Sequence, residues 1–286
     1  MPMRPEKETS TGTTDASAAG SATEAAHTRD HISFLVGSAV RVDIFRTLRE
    51  GTYRPSELAA ECGCARETAQ RTVGAFVERG WAEKVSTAEG YRLTPAGELL
   101  AQGYEEFEAR AEATIRCRKL LRNLRGVDVV SALEYETLTS LTHAESTAES
   151  PHAPLNRFLS VVDDRPVDEF YGITPIVSQI FNRAADRAIG PESHVELVVD
   201  ENVLQASMEE YPRDFERAAE LPGLELYVAA EPLEFGLMTV DDHAYLGAYD
   251  DDGNLVASVD GTDDAFVTWA DRTFSRIRER ASRQEL

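Results

Sequence analysis

Lysine is almost missing from this chain. Of 29 basic residues only Lys7, Lys84 and Lys119 are lysine, and they stand against 51 acidic residues for a net charge of −22. An ordinary acidic protein carries more lysine, so this balance predicts a protein from a salt-accumulating, halophilic cytoplasm. Cysteine is equally scarce. Cys62, Cys64 and Cys117 are too few for a disulfide framework, and a Cys-x-Cys pair without further Cys or nearby His is poor zinc spacing. No metal site or cofactor is expected; Cys62 and Cys64 read as small core residues flanking a turn, with a redox-sensing pair as the alternative. No stretch approaches the ~20 apolar residues of a membrane span, and the N-terminus lacks the apolar core of a signal peptide. The expectation is a cytoplasmic protein with no membrane partner.

At 286 residues and 42% hydrophobic content, the chain is long enough for two domains with separate cores. Its charge divides unevenly. Residues 28–126 hold 16 Lys and Arg against 14 Asp and Glu, while residues 127–286 hold 11 against 33. In a chain under pressure to be acidic, a slightly basic N-terminal part points to a polyanionic partner. In molar salt the Debye length is only about 3 Å, so the acidic part would hardly repel a polyanion held by its neighbour.

Residues 1–27 are rich in Ser, Thr, Ala, Gly and Glu without apolar periodicity and read as a disordered tail. From Asp30 to Arg49, Ile32, Leu35, Val36, Val40, Ile44, Phe45 and Leu48 form one broad apolar helical face. The segment from Pro55 to Cys62 predicts a short helix broken by Gly63. A second helix from Ala65 to Arg79 sets Ala69, Val73, Phe76 and Val77 on one face and Arg66, Gln70 and Arg71 on another. Two β-type runs, Trp81 to Val85 and Tyr91 to Thr94, flank a polar turn. Helix, turn, helix and hairpin make a winged helix-turn-helix over residues 28–94. Its second helix offers Arg66, Glu67, Thr68, Gln70, Arg71 and Thr72, and its hairpin Arg92, as contacts to double-stranded DNA. Arg reads guanine bidentately, Gln reads adenine, and hydroxyls and remaining Arg fix the backbone. The span Ser56 to Gly97, with "TAQRTV" and "YRLTPAG", resembles the DNA-binding domain of archaeal winged-helix transcriptional regulators. The alternative is a winged helix used only for protein contact.

Pro95 opens a helical pattern to about residue 125, a connecting helix with Cys117, Leu120, Leu121 and Leu124 on one stripe and Arg118, Arg122 and Arg125 on another. The leucine stripe, with the first helix of the winged domain, is the candidate homodimer seam; docking on the chain's own second domain is the other reading. Residues 142–154 read as a polar linker. Residues 126–286 then alternate strand and helix, with strands at Val167–Thr174, His194–Val199, Leu224–Val228, Phe235–Val240, Ala244–Tyr249 and Leu255–Val259. Helices are expected at Pro175–Ile189, Glu201–Tyr211 and Arg213–Glu220, with a last one capped by Asp263. The fold class is therefore α+β, a winged helix followed by an α/β domain. "YGITPIVSQIF", "HVELVVDENVL" and "EFGLMTVDDHAYLGAYDDDG" resemble the middle-to-C-terminal domain of the archaeal methanogenesis regulators and their haloarchaeal relatives. That resemblance implies an effector-sensing module with a phospholipase D-like α/β fold.

Strand-to-helix junctions expose backbone N–H groups, so Thr174, Pro175, Ser178 and Asp200 are the candidate contacts for a small polar metabolite. The plainer reading is that Thr174 caps a helix begun by Pro175. An enzyme is not expected. Phosphodiesterase chemistry of the phospholipase D kind needs His-x-Lys, whereas this chain has His194-Val195-Glu196 and no Lys after Lys119. His194 and His243 read as exposed strand-end residues, and Asp250 to Asn254 as a solvated hairpin turn lacking the ligand spacing of a calcium loop. The expected function is a dimeric, sequence-specific regulator of transcription that senses an effector; an assembly protein is the alternative.

Overall fold

The computed structural model describes residues 27–86, 90–129, 132–162 and 167–286. The chain divides into two compact units, Met1–Phe107 and Glu108–Leu286. The expected tail at 1–27 lies outside the described residues apart from residue 27.

In the first unit the expected opening helix is two helices: α1 covers residues 27–36 and α2 covers Ala39–Glu50. The break falls at Gly37, where a Cβ would come within 2.7 Å of the Ser33 carbonyl. Helix α3 (Pro55–Glu61) starts where the Arg54 N–H donates to the Glu57 carboxylate at 2.7 Å. Gly63, at φ 60°, turns the chain into α4 (Arg66–Glu78), and Gly80, at φ 72°, turns it out again. The strands β1 (Ala82–Ser86) and β2 (Gly90–Leu93) pair antiparallel, with Glu83 opposite Arg92. Tyr53 adds a bridge to Tyr91 beyond them. That bridge explains Gly90: its φ is 105° and a Cβ would lie 2.3 Å from the Tyr53 carbonyl oxygen. Phe45, Phe76 and Trp81 meet at ring separations of 5.1 to 5.8 Å beside Ile44, Leu58 and Val73, closing a core in which Ile44, Phe76 and Val73 are fully buried. Cys62 and Cys64 are free thiols packed against this core, as expected.

The helix expected over residues 95–125 is also two helices, α5 (Pro95–Arg116) and α6 (Arg118–Asn123), separated at Cys117. In the second unit α6 and α7 (Tyr135–Ser140) precede β3 (Thr142–Glu145) and α8 (Ala153–Val162). The residues read as a linker are thus an edge strand, a turn and a helix start. The order continues with β4 (Val167–Ile173), α9 (Gln179–Ala188), β5 (Ile189–Asp200), α10 (Glu201–Glu210), α11 (Pro212–Ala219) and β6 (Leu224–Ala229). Three strands, β7 (Phe235–Val240), β8 (His243–Tyr249) and β9 (Leu255–Gly261), are followed by α12 (Asp264–Arg278) and β10 (Ser282–Gln284). They build one eight-stranded sheet in the order β10-β6-β5-β4-β7-β8-β9-β3. Only β4, β5 and β6 run parallel; every other neighbouring pair is antiparallel.

The two faces of this sheet are packed differently. On one, α6 and α12 cover a continuous core that includes Leu120, Val198, Leu246, Val259, Phe266 and Trp269. Asp263 caps α12 by accepting from the Ala265 and Phe266 N–H groups. Leu120 is 2% exposed and Leu121 and Leu124 pack beside it, so the leucine stripe belongs to its own unit and is no dimer seam. On the other face the apolar residues form two separate clusters. One joins α8 and α9 to β7 and β8 through Val162, Ala184, Met238 and Tyr245, and the other joins α10 to β5 and β6 through Val203, Leu204 and Leu226.

Candidate nucleic-acid interface and ligand cavity

Helix α4 is held by Ala69, Thr72, Val73 and Phe76, which are buried. Thr72 is only 6% exposed, so it faces the core and is removed from the candidate DNA contacts. Its place three residues after Ala69 puts it on the inward stripe. Arg66, Glu67, Gln70 and Arg71 are exposed and Thr68 is half-buried. Arg66 and Gln70 stand four residues apart, as do Glu67 and Arg71, so the four share one outward surface. Among the described residues Arg66 and Arg71 make no ion pair, whereas Arg49, Arg54, Arg92, Arg125, Arg157, Arg217, Arg278 and Arg283 all do. Arg110, Arg118, Arg122, Arg183 and Arg213 also lack an ion pair among the described residues, so what sets Arg66 and Arg71 apart is their shared place on the exposed face of α4. Arg92 on β2 is exposed but bound to Glu83 at 2.7 Å across the ribbon. Lys84, exposed on β1, is a further cation of the hairpin that the residue pattern alone did not single out.

The four residues proposed for a polar metabolite do not converge. Asp200 is 6% exposed and caps α10: Oδ1 accepts from the Val203 N–H at 2.9 Å and Oδ2 from the Leu233 N–H at 3.0 Å. Both of its oxygens are committed to backbone. Ser178, not Thr174, is the N-cap of α9, accepting from the Phe181 N–H, so the helix begins four residues later than expected. Pro175 lies in the intervening turn, where the Thr174 hydroxyl donates to the Ile176 carbonyl at 2.7 Å.

The space in this unit lies elsewhere. Between the two separate clusters, α9, α10 and α11 stand off the sheet and leave a cavity of about 690 Å³. Of the four candidates only Thr174 lines it. The floor is β4, β5, β6 and β7, with Gly172, Leu197, Leu226, Gly236 and Met238; the walls include Phe158, Phe181, Phe215 and Tyr249. The cavity therefore sits on the face of the sheet and reaches past the carboxyl end of β4 along Ile173, Thr174, Ile176 and Val177.

Of the two histidines read as exposed strand ends, His194 is exposed and lies 3.2 Å from Glu196. His243 is not exposed: its Nε2 is 2.8 Å from Oδ2 of Asp260, which is completely buried. Arg157 of α8 donates to both oxygens of the same carboxylate, at 2.7 and 2.5 Å. Burial drives the Asp260 pKa upward, but the bonds and charges of Arg157 and His243 outweigh it and hold the carboxyl below its ordinary range. Asp250 closes the β8–β9 turn by accepting from the Asp252 and Asn254 N–H groups, with Gly253 at φ 77°. Among the described residues no cluster of three or more His, Cys, Asp and Glu has metal-holding geometry, and no helix is long and apolar enough to cross a membrane.

Residues 151–280 match the family described as the middle domain of the methanogenesis regulatory protein FilR1. Residues 29–116 match the HVO_A0261 N-terminal domain. None of the curated proteins compared matches the chain. Among solved structures, the chain is similar to TrmBL2, described as an archaeal chromatin protein that shows a novel mode of DNA binding. That likeness has 12% identity over 86% of this chain and 94% of the other, with a TM-score of 0.38. A second likeness is to the multiple antibiotic-resistance repressor MarR of Listeria monocytogenes, at 15% identity over 40% and 85% of the two chains and a TM-score of 0.27. A third is to the methyltransferase RosA of Streptomyces davawensis, at 14% identity over 73% and 66% and a TM-score of 0.25. The family match over residues 151–280 supports a regulatory protein.

Proposed function

We propose that this chain is a cytoplasmic winged helix-turn-helix regulator that binds duplex DNA sequence-specifically through α4 and senses an effector in its second unit. The observation that carries the reading is the outward face of α4, where Arg66, Gln70 and Arg71 stand exposed and the two guanidinium groups are free of carboxylates. Such a face supplies the donors that base edges and phosphates accept. The hairpin adds Lys84 and Arg92. No catalytic role belongs to this reading: His243 is engaged by a buried carboxylate, and the His-x-Lys set is missing from the sequence.

The test is fluorescence anisotropy with genomic-fragment duplexes in molar potassium chloride, the solvent that suits so acidic a chain. Removing one base-reading Arg costs about 1–3 kcal/mol, so Arg71→Ala should weaken selective binding roughly 5- to 150-fold. Unchanged selective binding would remove α4 from the interface.

A two-fold protein reads two half-sites, and the seam for a homodimer moves from the buried leucine stripe to α5. Leu99, Phe107 and Ile115 are exposed there at 74%, 66% and 72%. Light scattering should give twice the chain mass, and Phe107→Glu should give a monomer.

A further inference from the structure

The cavity on the sheet face has a chemistry opposite to that of the polar site expected from the strand ends. Its floor and walls are Leu, Val, Met and aromatic side chains, and at about 690 Å³ it falls within the size range of small-molecule sites. Packed protein interiors leave few voids larger than a water molecule, so a space of this size is not a packing flaw. Phe158 meets Phe181 edge to face at 4.6 Å and Tyr245 at 5.6 Å, giving one end an aromatic wall. Two glycines let further rings lie against the floor. A Cβ on Gly172 would come within 2.6 Å of the Phe170 ring, and one on Gly236 within 2.9 Å of the Tyr249 hydroxyl.

That hydroxyl has no partner among the described residues, and in the lining it shares this only with the hydroxyl of Tyr211, between α10 and α11. Tyr249 makes no hydrogen bond among the described residues, and burial alone pushes its phenol upward. Apart from Tyr211, the other polar side chains of the lining are satisfied or negative. Arg217 donates to Asp186 and Asp214, and the Asn182 amide donates to Asp214 at 3.2 Å. With Glu220 nearby, the rim holds three carboxylates against one guanidinium. An anion would be repelled there, and a sugar would leave most of its hydroxyls facing hydrocarbon.

We propose that this cavity binds an uncharged, mainly apolar, ring-bearing molecule with a single hydroxyl or carbonyl group, anchored by the Tyr249 hydroxyl. The proposal rests on the effector-sensing reading of the second unit and names the class of molecule sensed. Rings stack on Phe158, Phe170 and Phe181, and the one polar atom of the ligand pairs with Tyr249.

The test uses the full chain in molar potassium chloride with the probe prodan, an uncharged naphthyl ketone. Its anionic counterpart is 1-anilinonaphthalene-8-sulfonate. Prodan should bind saturably, one per chain, with a blue-shifted emission. Tyr249→Phe keeps the ring and removes the hydroxyl, and should weaken binding about 2- to 12-fold, the worth of one net hydrogen bond. Ala185→Phe on α9 fills the space and should weaken it more than tenfold. Val177→Trp serves in its place if thermal melting shows that Ala185→Phe does not fold. Absence of saturable prodan binding, equal binding by the filled variant, or tighter binding of the sulfonate than of prodan overturns the inference. DNA retention measured on the same samples keeps the two readings apart. A wild type that retains DNA but not prodan overturns only the ligand class, and one that binds prodan but no DNA overturns only the regulator.

Discussion

Asp260 offers the sharpest test of how the second unit is held. Its carboxylate is fully buried on β9, accepts two bonds from Arg157 of α8 and lies 2.8 Å from His243 of β8. Asp260→Asn keeps the shape but removes the charge and presents an amide N–H₂ to donors that need an acceptor. Breaking a buried ion pair by removing one member costs about 3–5 kcal/mol. Arg157 is 33% exposed and can turn partly to water, so the lower end applies, about 3 kcal/mol. For a unit of this size each kcal/mol lowers the melting temperature by about 2–4 °C, giving a fall of roughly 6–12 °C. Calorimetry in molar potassium chloride reads it directly. The same variant should flatten the acid limb of the stability curve. Because the folded Asp260 is held below its ordinary value, its contribution is complete above about pH 4 and is lost as pH falls through the lower folded value. A second variant, Arg157→Met together with Asp260→Asn, removes the uncompensated guanidinium and should recover part of the loss. A fall under 2 °C for Asp260→Asn, or no recovery in the double variant, would show that the trio is not what fastens α8 to the sheet.

Two further outcomes concern the first unit. Phe76→Ala empties the centre of its aromatic cluster and should cost about 3–5 kcal/mol, seen as a lowered first calorimetric transition while the second unit's transition stays in place. Gly90→Ala forces a Cβ into the Tyr53 carbonyl at a positive φ; circular dichroism should show a lower melting temperature, and DNA affinity should fall because the hairpin carries Lys84 and Arg92.

Much of this fold was legible because its elements carry their own signals. Phe235–Val240 was expected as a strand and is one, its residues all buried between neighbours. Asp263 announced α12, and Gly63 and Gly80 bounded α4. What escaped depends on contacts distant in the chain. Nothing in "IRCRKLLRN" marks the break at Cys117, and the polar run Thr142 to Glu145 becomes a strand only because β9 pairs with it. Asp200 looked available at a strand end, but its second oxygen is taken by Leu233, thirty-three residues on. Counting donors along α4 admitted Thr72, which helical phase assigns to the core. The cavity left no periodic trace, since its apolar residues are the same ones that a closed core would need.

The pairing of β3 with β9 decides where this chain can be cut. Residues 151–280 match the methanogenesis-regulator middle domain, and a fragment trimmed to that range would discard Thr142–Glu145. The strand left at the border, β9, has Val256, Ala257, Ser258 and Val259 buried and would present a bare row of backbone donors and acceptors. An unpaired apolar edge of that kind recruits strands from other molecules. The trimmed fragment should precipitate or form strand-joined oligomers, while one beginning before Thr142 carries its own selvedge.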